Sequence, residues 1–323
     1  MIIVTGGAGF IGSALVWQLN QNGIDEILIV DHLGESQKWE NLRALRFSDY
    51  IEKEQFRNYL SNNTLNYPIE VIFHLGACSA TTEKNASYLI DNNFNYSKEL
   101  ADFCIKRKIK FIYASSAATY GDGSKGWTDD ENKLEELLPL NIYGYSKHLF
   151  DLWMKRKGFL KFAAGLKFTN IFGPNEWHKG EMRSVICKAY EQIKKTGKLC
   201  LFKSYKKDFK DGEQKRDFLY VKDAVEIMLH VYRNNLVGIF NVGSGKAETW
   251  NKLADAIFEA MKVKKNIEYI DMPIEIRDKY QYYSCADMRK LLSTNYKKNI
   301  IPLTDAVKEY INFYLEPHKH LGE

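Results

Sequence analysis

The strongest constraint on the fold is the segment "TGGAGFIG" at residues 5–12, which follows the β-branched run "IIVTG". Such a run is typical of a buried strand, and the apolar spacing over residues 10–22 indicates a helix. We expect Gly6 to allow a tight turn, Gly9 to let the backbone approach a pyrophosphate, and Gly12 to let helix and strand pack closely. The segment therefore predicts a dinucleotide-binding fold, with the pyrophosphate at the positive end of the helix.

The rest of the first half of the chain alternates strands with helices. The pattern indicates helices at 84–108 and 143–157. Further strand-like runs are "EILIVD" (26–31), "VIFHLGA" (71–77), "KFIYASS" (110–116) and "FAAGLKF" (162–168). This alternation predicts an α/β fold with a doubly wound parallel sheet of the Rossmann type.

After residue 170 the alternation loosens, and a polar, lysine-rich stretch at 202–218 is typical of a loop. With 323 residues, the chain is long enough for two lobes. We predict a dinucleotide-binding domain over residues 1–170, with a return segment at about 218–245. A smaller C-terminal α/β lobe for the substrate would comprise residues 171–217 and 246–323.

Composition excludes several classes of function. The net charge of +5 is modest and the lysines are dispersed, so we expect no nucleic-acid partner. Five scattered cysteines without a C-x-x-C pair predict neither a metal site nor disulfides. The apolar runs are too short to span a bilayer and the N-terminus resembles no secretion signal, so we expect a cytoplasmic protein without a membrane partner.

Asp31 ends the second predicted strand, 19 residues after Gly12. A carboxylate there normally accepts hydrogen bonds from the adenosine ribose and repels a 2′-phosphate, which favours NAD. Lys38 and Lys53 follow, however, and their ammonium groups could bind that phosphate. The position alone therefore leaves NAD and NADP equally open.

A second group of residues indicates hydride-transfer chemistry. Tyr143 and Lys147 in "YGYSK" lie four residues apart, on one face of a predicted helix. An ammonium group beside the phenol would bring its pKa toward neutrality and make it a usable acid/base. Ser115 and Ser116 end a predicted strand, where a hydroxyl can hold a substrate oxygen, although either serine could instead cap a helix.

These motifs together resemble a known family. The glycine segment, "FHLGA", "NNFNYSKEL", "ASSAATYG", "YGYSK", "RDFLYVKD" and "GIFNVGSG" resemble extended short-chain dehydrogenases/reductases acting on nucleotide sugars. More narrowly, "GACSATTE", "HKG" after "NIFGPNE", and "YQYYSCADM" are similar to the ADP-L-glycero-D-manno-heptose 6-epimerase family. This resemblance implies ADP-heptose as the substrate, lipopolysaccharide core biosynthesis as the pathway, and a homo-oligomer, with a pentamer as the expected form.

The resemblance also implies NADP as the cofactor and assigns roles to individual residues. The implied cofactor contacts are Phe10, Ile11, Asp31, His32, Lys38, Lys53, Leu75, Gly76, Ala77, Cys78, Ser79, Asn92, Lys147, Ile171 and Lys179. The implied substrate contacts are Ser116, Asn170, Glu181, Lys188, Phe202, Lys203, Ser204, Tyr205, Arg216 and Tyr280.

Lys179, in "PNEWHKGEM", is the residue that the resemblance makes a second acid/base. Epimerisation of a secondary alcohol can remove hydride to leave a ketone, turn that ketone over, and return the hydride to its other face. The oxygen then lies away from Tyr143, and another group must handle its proton. Lys179 could instead be an ordinary loop lysine or a phosphate contact.

Two other functions remain open. The chain could be a different nucleotide-sugar epimerase, dehydratase or reductase of the same fold. A dehydratase normally has an Asp-Glu pair after the catalytic serine or threonine, whereas Ala117 and Ala118 follow Ser116 here. A cofactor-binding scaffold with an inactive site is also conceivable, but intact Ser116, Tyr143 and Lys147 argue against it.

Overall fold

The structure is a computed structural model that describes residues 1–277 and 280–323. Its strands are β1 (Ile2–Thr5), β2 (Ile27–Asp31), β3 (Asp49–Glu52), β4 (Val71–His74), β5 (Lys110–Ser116), β6 (Ala163–Phe168), β7 (Asn170–Phe172), β8 (Leu199–Phe202), β9 (Lys215–Tyr220), β10 (Gly238–Val242), β11 (Ala247–Thr249) and β12 (Ile267–Ile270). Its helices are α1 (Phe10–Gln21), α2 (Lys53–Ser61), α3 (Ala86–Leu89), α4 (Tyr96–Arg107), α5 (Ile142–Arg156), α6 (Val185–Thr196), α7 (Val221–Arg233), α8 (Trp250–Met261), α9 (Ile274–Arg277), α10 (Arg289–Leu292) and α11 (Leu303–Tyr310).

Seven parallel strands form the central sheet, in the order β10-β6-β5-β4-β1-β2-β3. The predicted doubly wound Rossmann-type fold is therefore confirmed. The strand order reverses between β1 and β4, and in such sheets ligands bind beyond the carboxyl ends of the strands at that point. The strand β3 was not predicted, because it is a short edge strand in which only Ile51 is buried.

Side chains alternate across the sheet and build two cores. Ile2 and Val4 of β1 pack with α1 and α7 on one face. Ile3 packs with α2, α4 and α5 on the other. This alternation is what a strand covered on both faces requires, and it explains why the sheet sequences are apolar throughout.

A third core lies under two smaller sheets. The strands β11, β9 and β7 form one of them, and β12 pairs with β8 in the other. Apolar side chains of α6, α8 and α11 pack together beneath them. Leu291 and Leu321, which we assigned to the second lobe, pack in the core of α1 and α7. The boundaries of the two lobes stay a prediction.

Within residues 1–277 and 280–323, no helix is both long enough and apolar enough to cross a membrane.

Candidate active site

A cleft of about 1220 Å³ opens beyond the carboxyl ends of β1, β4, β5 and β6. Many of the residues singled out in the sequence line it. They are Gly6, Gly9, Phe10, Ile11, Gly12, Asp31, Lys38, Leu75, Gly76, Ala77, Cys78, Ser79, Ser116, Tyr143, Lys147, Asn170, Ile171, Lys179, Arg216 and Tyr280. The fold thus brings residues from distant parts of the chain to one surface.

The turn formed by Gly6, Gly9 and Gly12 (the glycine turn) admits no larger residue at two of these positions. Gly6 has a φ of +69°, and a Cβ there would lie 2.6 Å from the backbone nitrogen of Gly76. A Cβ on Gly12 would lie 2.0 Å from the carbonyl oxygen of Gly6. Gly9 precedes α1, and no side chain caps that helix. The backbone here fits a pyrophosphate, because uncapped N–H groups and the helix dipole favour an anion.

Asp31 and Lys38 form an ion pair at the edge of the cleft. Asp31 is buried; its Oδ2 accepts from the backbone N–H of Ala8 at 2.9 Å, and its Oδ1 accepts from Lys38 Nζ at 2.9 Å. Lys53 Nζ donates instead to Asn92 Oδ1 at 3.1 Å. His32, Lys53 and Asn92 do not line the cleft. Their assignment to the cofactor stays a prediction.

Asn93, the neighbour of the predicted cofactor contact Asn92, holds the loop after β4. Its side chain accepts from the backbone N–H of Cys78 at 2.9 Å and donates to the carbonyl oxygen of Cys78 at 3.0 Å. It also donates to Ser146 Oγ at 3.0 Å. Residues Ile90–Asn95 form a π turn that joins α3 to α4. Such turns re-aim side chains at functional sites and leave no clear sequence signal.

Tyr143 enters the cleft from the first turn of α5, which Asn141 caps by accepting from the backbone N–H of Gly144 at 2.8 Å. Ser116, at the end of β5, lies close enough to Tyr143 to affect its pKa, and its Oγ accepts from the backbone N–H of Ala118 at 3.1 Å. The Ser116 hydroxyl therefore both caps the following turn and faces the phenol. This pair could hold and deprotonate a hydroxyl group of a substrate.

The sequence predicts that Lys147 lowers the pKa of Tyr143, but the structure shows the opposite shift. Burial raises the pKa of Tyr143, and the nearby hydroxyl group of Ser116 opposes that shift only in part. Lys147 is buried and donates to the carbonyl oxygen of Ala114 at 3.0 Å. Burial lowers the pKa of Lys147 to about 8, against the opposing charges of Asp151 and Cys78. Burial therefore affects the pKa values of Tyr143 and Lys147 more than their spacing of four residues on one helix does.

A buried ion pair supports this wall of the cleft. Asp151 and Lys167 are both fully buried, and their charged atoms lie 2.9 Å apart. Asp151 also accepts from Tyr113 at 3.0 Å and from Ser115 at 2.7 Å, while Lys167 donates to Thr119. The alternative role of Ser115 as a helix cap is therefore wrong, because its hydroxyl points toward Asp151.

Replacing Asp151 with alanine is expected to lower the free energy of unfolding by about 3–5 kcal/mol, because it leaves the ammonium group of Lys167 buried without a counter-charge. The exposed pair Lys198–Glu268 provides the control, and Glu268→Ala should cost less than about 1 kcal/mol. Urea denaturation measures both values. A loss below about 1 kcal/mol for Asp151→Ala would show that the buried pair is not stabilising the fold.

Lys179 is not a solvated loop lysine. It lies in the short helical turn Trp177–Met182, and its Nζ is 5.1 Å from the centroid of the Phe10 ring. Burial lowers the pKa of Lys179, and the nearby carboxylate of Glu176 opposes this shift. A lysine whose pKa is lowered by burial in a cleft is a candidate for proton transfer.

The opposite wall presents a buried cation. Arg216 is buried and donates to the carbonyl oxygen of Lys215 at 2.9 Å. Its guanidinium lies 5.0 Å from the ring centroid of Tyr280 and 5.7 Å from that of Trp250. Asn170 donates to the carbonyl oxygen of Asp217 at 3.1 Å, which ties β7 to this wall. A guanidinium held between aromatic rings is suited to an anion such as a diphosphate.

Six predicted substrate contacts do not line the cleft: Glu181, Lys188, Phe202, Lys203, Ser204 and Tyr205. Their assignment stays a prediction. Sequence reasoning missed several residues that do line it, namely His178, Arg183, Trp250, Gln281 and Ser284. Three of them had a signal: His178 stands beside Lys179, and Gln281 and Ser284 lie in the quoted "YQYYSCADM". Burial lowers the pKa of His178 to about 4.

Comparisons with known proteins agree with this geometry. Residues 2–243 match the model of the NAD dependent epimerase/dehydratase family. The ADP-L-glycero-D-manno-heptose-6-epimerase of Nitratidesulfovibrio vulgaris (strain Hildenborough) is 52% identical over 98% of this chain and 100% of its own. The enzyme of that name from Fusobacterium nucleatum is 48% identical over 98% of both chains.

Among solved structures, the ADP-L-glycero-D-manno-heptose-6-epimerase of Helicobacter pylori aligns with a TM-score of 0.80. It is 25% identical, and the alignment covers 97% of this chain and 95% of that one. The agreement in fold extends over nearly the whole chain, and the sequence identity to the curated relatives is high over the same length. The chain therefore belongs to the NAD dependent epimerase/dehydratase family and, within it, to the ADP-L-glycero-D-manno-heptose-6-epimerases.

Proposed function

We propose that the protein interconverts ADP-D-glycero-D-manno-heptose and ADP-L-glycero-D-manno-heptose by transient oxidation at C6″. The observation that carries this proposal is that Tyr143 and Lys179 line one cleft together with the glycine turn. One acid/base on each side of a reacting carbon is what inversion through a ketone requires. The names of the relatives supply the heptose substrate.

In the first half of the reaction, Tyr143 takes the proton of the C6″ hydroxyl while Ser116 holds its oxygen. A nicotinamide cofactor held at the glycine turn would supply the redox chemistry at C6″, as a reversible hydride acceptor. Lys147 lies one helical turn from Tyr143, and burial lowers its pKa to about 8. When it carries a proton, its charge is suited to stabilising the Tyr143 phenolate that accepts the substrate proton.

In the second half, the ketone presents its other face, and its oxygen lies on the side of Lys179. The ammonium group of Lys179 donates the proton that completes the new hydroxyl group. One hydride leaves C6″ and one returns. One proton passes to Tyr143 and one leaves Lys179, and proton exchange with solvent then returns both residues to their starting states. The reaction is therefore an isomerisation without net oxidation.

We propose NADP rather than NAD as the dinucleotide. Lys38 Nζ lies at the edge of the cleft, where its charge would offset the repulsion between Asp31 and a 2′-phosphate on the adenosine ribose. Lys53 follows β3, which pairs with β2. Its ammonium group would approach the 2′-phosphate from the side of β3. Charge is thus the main argument for NADP.

The double replacement of Lys38 and Lys53 with alanine is expected to weaken NADP binding by about 100-fold, because each charge-assisted hydrogen bond contributes roughly 1.5–3 kcal/mol. NAD binding should weaken by less than about threefold. Titration of the apoprotein with each dinucleotide measures both effects. Equal losses for the two would remove the lysines from cofactor selection.

Other parts of the proposal rest on the family resemblance alone. These are a homo-oligomer (a pentamer by resemblance), a cytoplasmic location, and a product that enters lipopolysaccharide core biosynthesis. Sedimentation of the purified protein tests the first of them.

The function itself is tested by incubating the purified protein, loaded with NADP, with either ADP-heptose epimer. We expect both epimers to appear, without net production of NADPH. A panel of other ADP- and UDP-sugars separates this function from that of a different nucleotide-sugar epimerase of the same fold. No turnover of any of them would favour an inactive scaffold.

A further inference from the structure

Ser284 lines the cleft with a hydroxyl group that nothing in the described protein satisfies. Its side chain is 5% exposed. Its Oγ has no hydrogen-bond partner among residues 1–277 and 280–323. A buried hydroxyl group without a partner is costly, and such groups are rare in folded proteins. An unsatisfied donor in the wall of a binding cleft points to a ligand atom.

The backbone holds Ser284 in a fixed position beside Arg216. Lys215 donates its N–H to the carbonyl oxygen of Tyr282 at 2.9 Å, and Ser284 donates its N–H to that of Lys215 at 3.2 Å. The segment therefore runs alongside β9 like an added strand. Neighbouring residues of paired strands place their side chains on the same face. Ser284 and Arg216 are such neighbours, and both line the cleft.

Asp217 fixes the other end of this segment. Its carboxylate is buried, and its Oδ2 accepts from the backbone N–H of Ala286 at 2.9 Å. Its Oδ1 accepts from the N–H and the hydroxyl group of Ser244, each at 2.7 Å. The strand bearing Ser284 is thus tied on both sides of that residue, and its hydroxyl is preorganised.

Arg216 indicates which ligand atom lies nearby. Its buried guanidinium contacts a backbone carbonyl oxygen and two aromatic rings. None of these groups carries a negative charge, so an anion is needed to balance the charge of Arg216. On the basis of the proposed function, the anion in this cleft is the diphosphate of the nucleotide sugar. We propose that the hydroxyl group of Ser284 donates a hydrogen bond to an oxygen of that diphosphate, next to Arg216.

The test measures the binding of ADP and of ADP-glucose to protein saturated with NADP, so that ADP reports only the substrate side. Ser284→Ala should weaken both ligands by about tenfold, the effect of one hydrogen bond to a charged group. In turnover, KM should rise with kcat nearly unchanged, because the contact is the same in the ground and transition states. Tyr283→Phe is the matched control: it also removes a hydroxyl group, but from an exposed neighbour, and should leave affinity unchanged.

Thermal unfolding provides a second measurement, because the Tm of Ser284→Ala would fall if Ser284 had a structural role. Because Ser284 Oγ bonds to no described group, its removal should leave the Tm of the unliganded protein unchanged or raise it. Unchanged ADP affinity, weakening of ADP-glucose alone, or a clear drop in Tm would each overturn the assignment.

Arg216→Gln separates this inference from the proposed function. It should abolish most of the ADP affinity. If wild type binds no ADP, or if Arg216→Gln binds it normally, the diphosphate site itself is misplaced and the role of Ser284 falls with it. If Arg216→Gln loses ADP while Ser284→Ala does not, only the role of Ser284 is wrong.

Discussion

Replacing Tyr143 with phenylalanine is expected to lower kcat by about 10³-fold or more, near the upper range for loss of a general acid/base. The ring still packs at the start of α5, so the affinity for the dinucleotide should persist. Steady-state turnover of ADP-heptose and titration with NADP measure the two quantities separately.

Tyr145 provides the control for this substitution. It lies on the same helix, is 46% exposed, and has no lysine four residues later. Tyr145→Phe should turn over substrate at nearly the wild-type rate. Near-normal turnover by Tyr143→Phe would remove Tyr143 from the chemistry.

Replacing Lys179 with methionine is expected to stop epimerisation while leaving the half-reaction on the Tyr143 side. A substrate analogue that already carries a carbonyl group at C6″ separates the two functions when NADPH is supplied. Reduction to one epimer should persist, because Tyr143 supplies its proton. Reduction to the other should fall by about 10²–10⁴-fold, because the proton donor on that side is gone.

The distribution of products decides between the roles open to Lys179. A lysine without a role would leave both rates unchanged, as expected for the exposed control Lys195→Met. A phosphate contact would raise KM for both products with similar kcat. Equal loss of both products would contradict the two-base mechanism and would favour one tyrosine serving both faces of the ketone.

Local backbone chemistry made the glycine turn and the start of α5 predictable. Gly6 and Gly12 are required by contacts within the turn and with the adjacent strand. Tyr143 and Lys147 share a helix face because of helical geometry alone. These features depend on a few neighbouring residues, so a single sequence reveals them.

Features that depend on packing between distant segments were not predictable. Asn93 fixes the loop after β4 from within a π turn, and such a turn changes the direction of side chains without a sequence signature. Trp250 and Ser284 reach the wall of Arg216 only through the small sheet around β9. The raised pKa of Tyr143 likewise follows from burial, which the spacing of residues does not express.

The most direct test of the mechanism follows the hydrogen atom at C6″. The substrate is ADP-D-glycero-D-manno-heptose with deuterium at that carbon, incubated with the NADP-loaded protein in ordinary water until both epimers are present. If the hydride leaves and returns within one cleft, mass spectrometry will find the deuterium retained at C6″ in both epimers. Replacement of the deuterium by hydrogen from water would contradict hydride transfer and would indicate that the carbon is deprotonated instead.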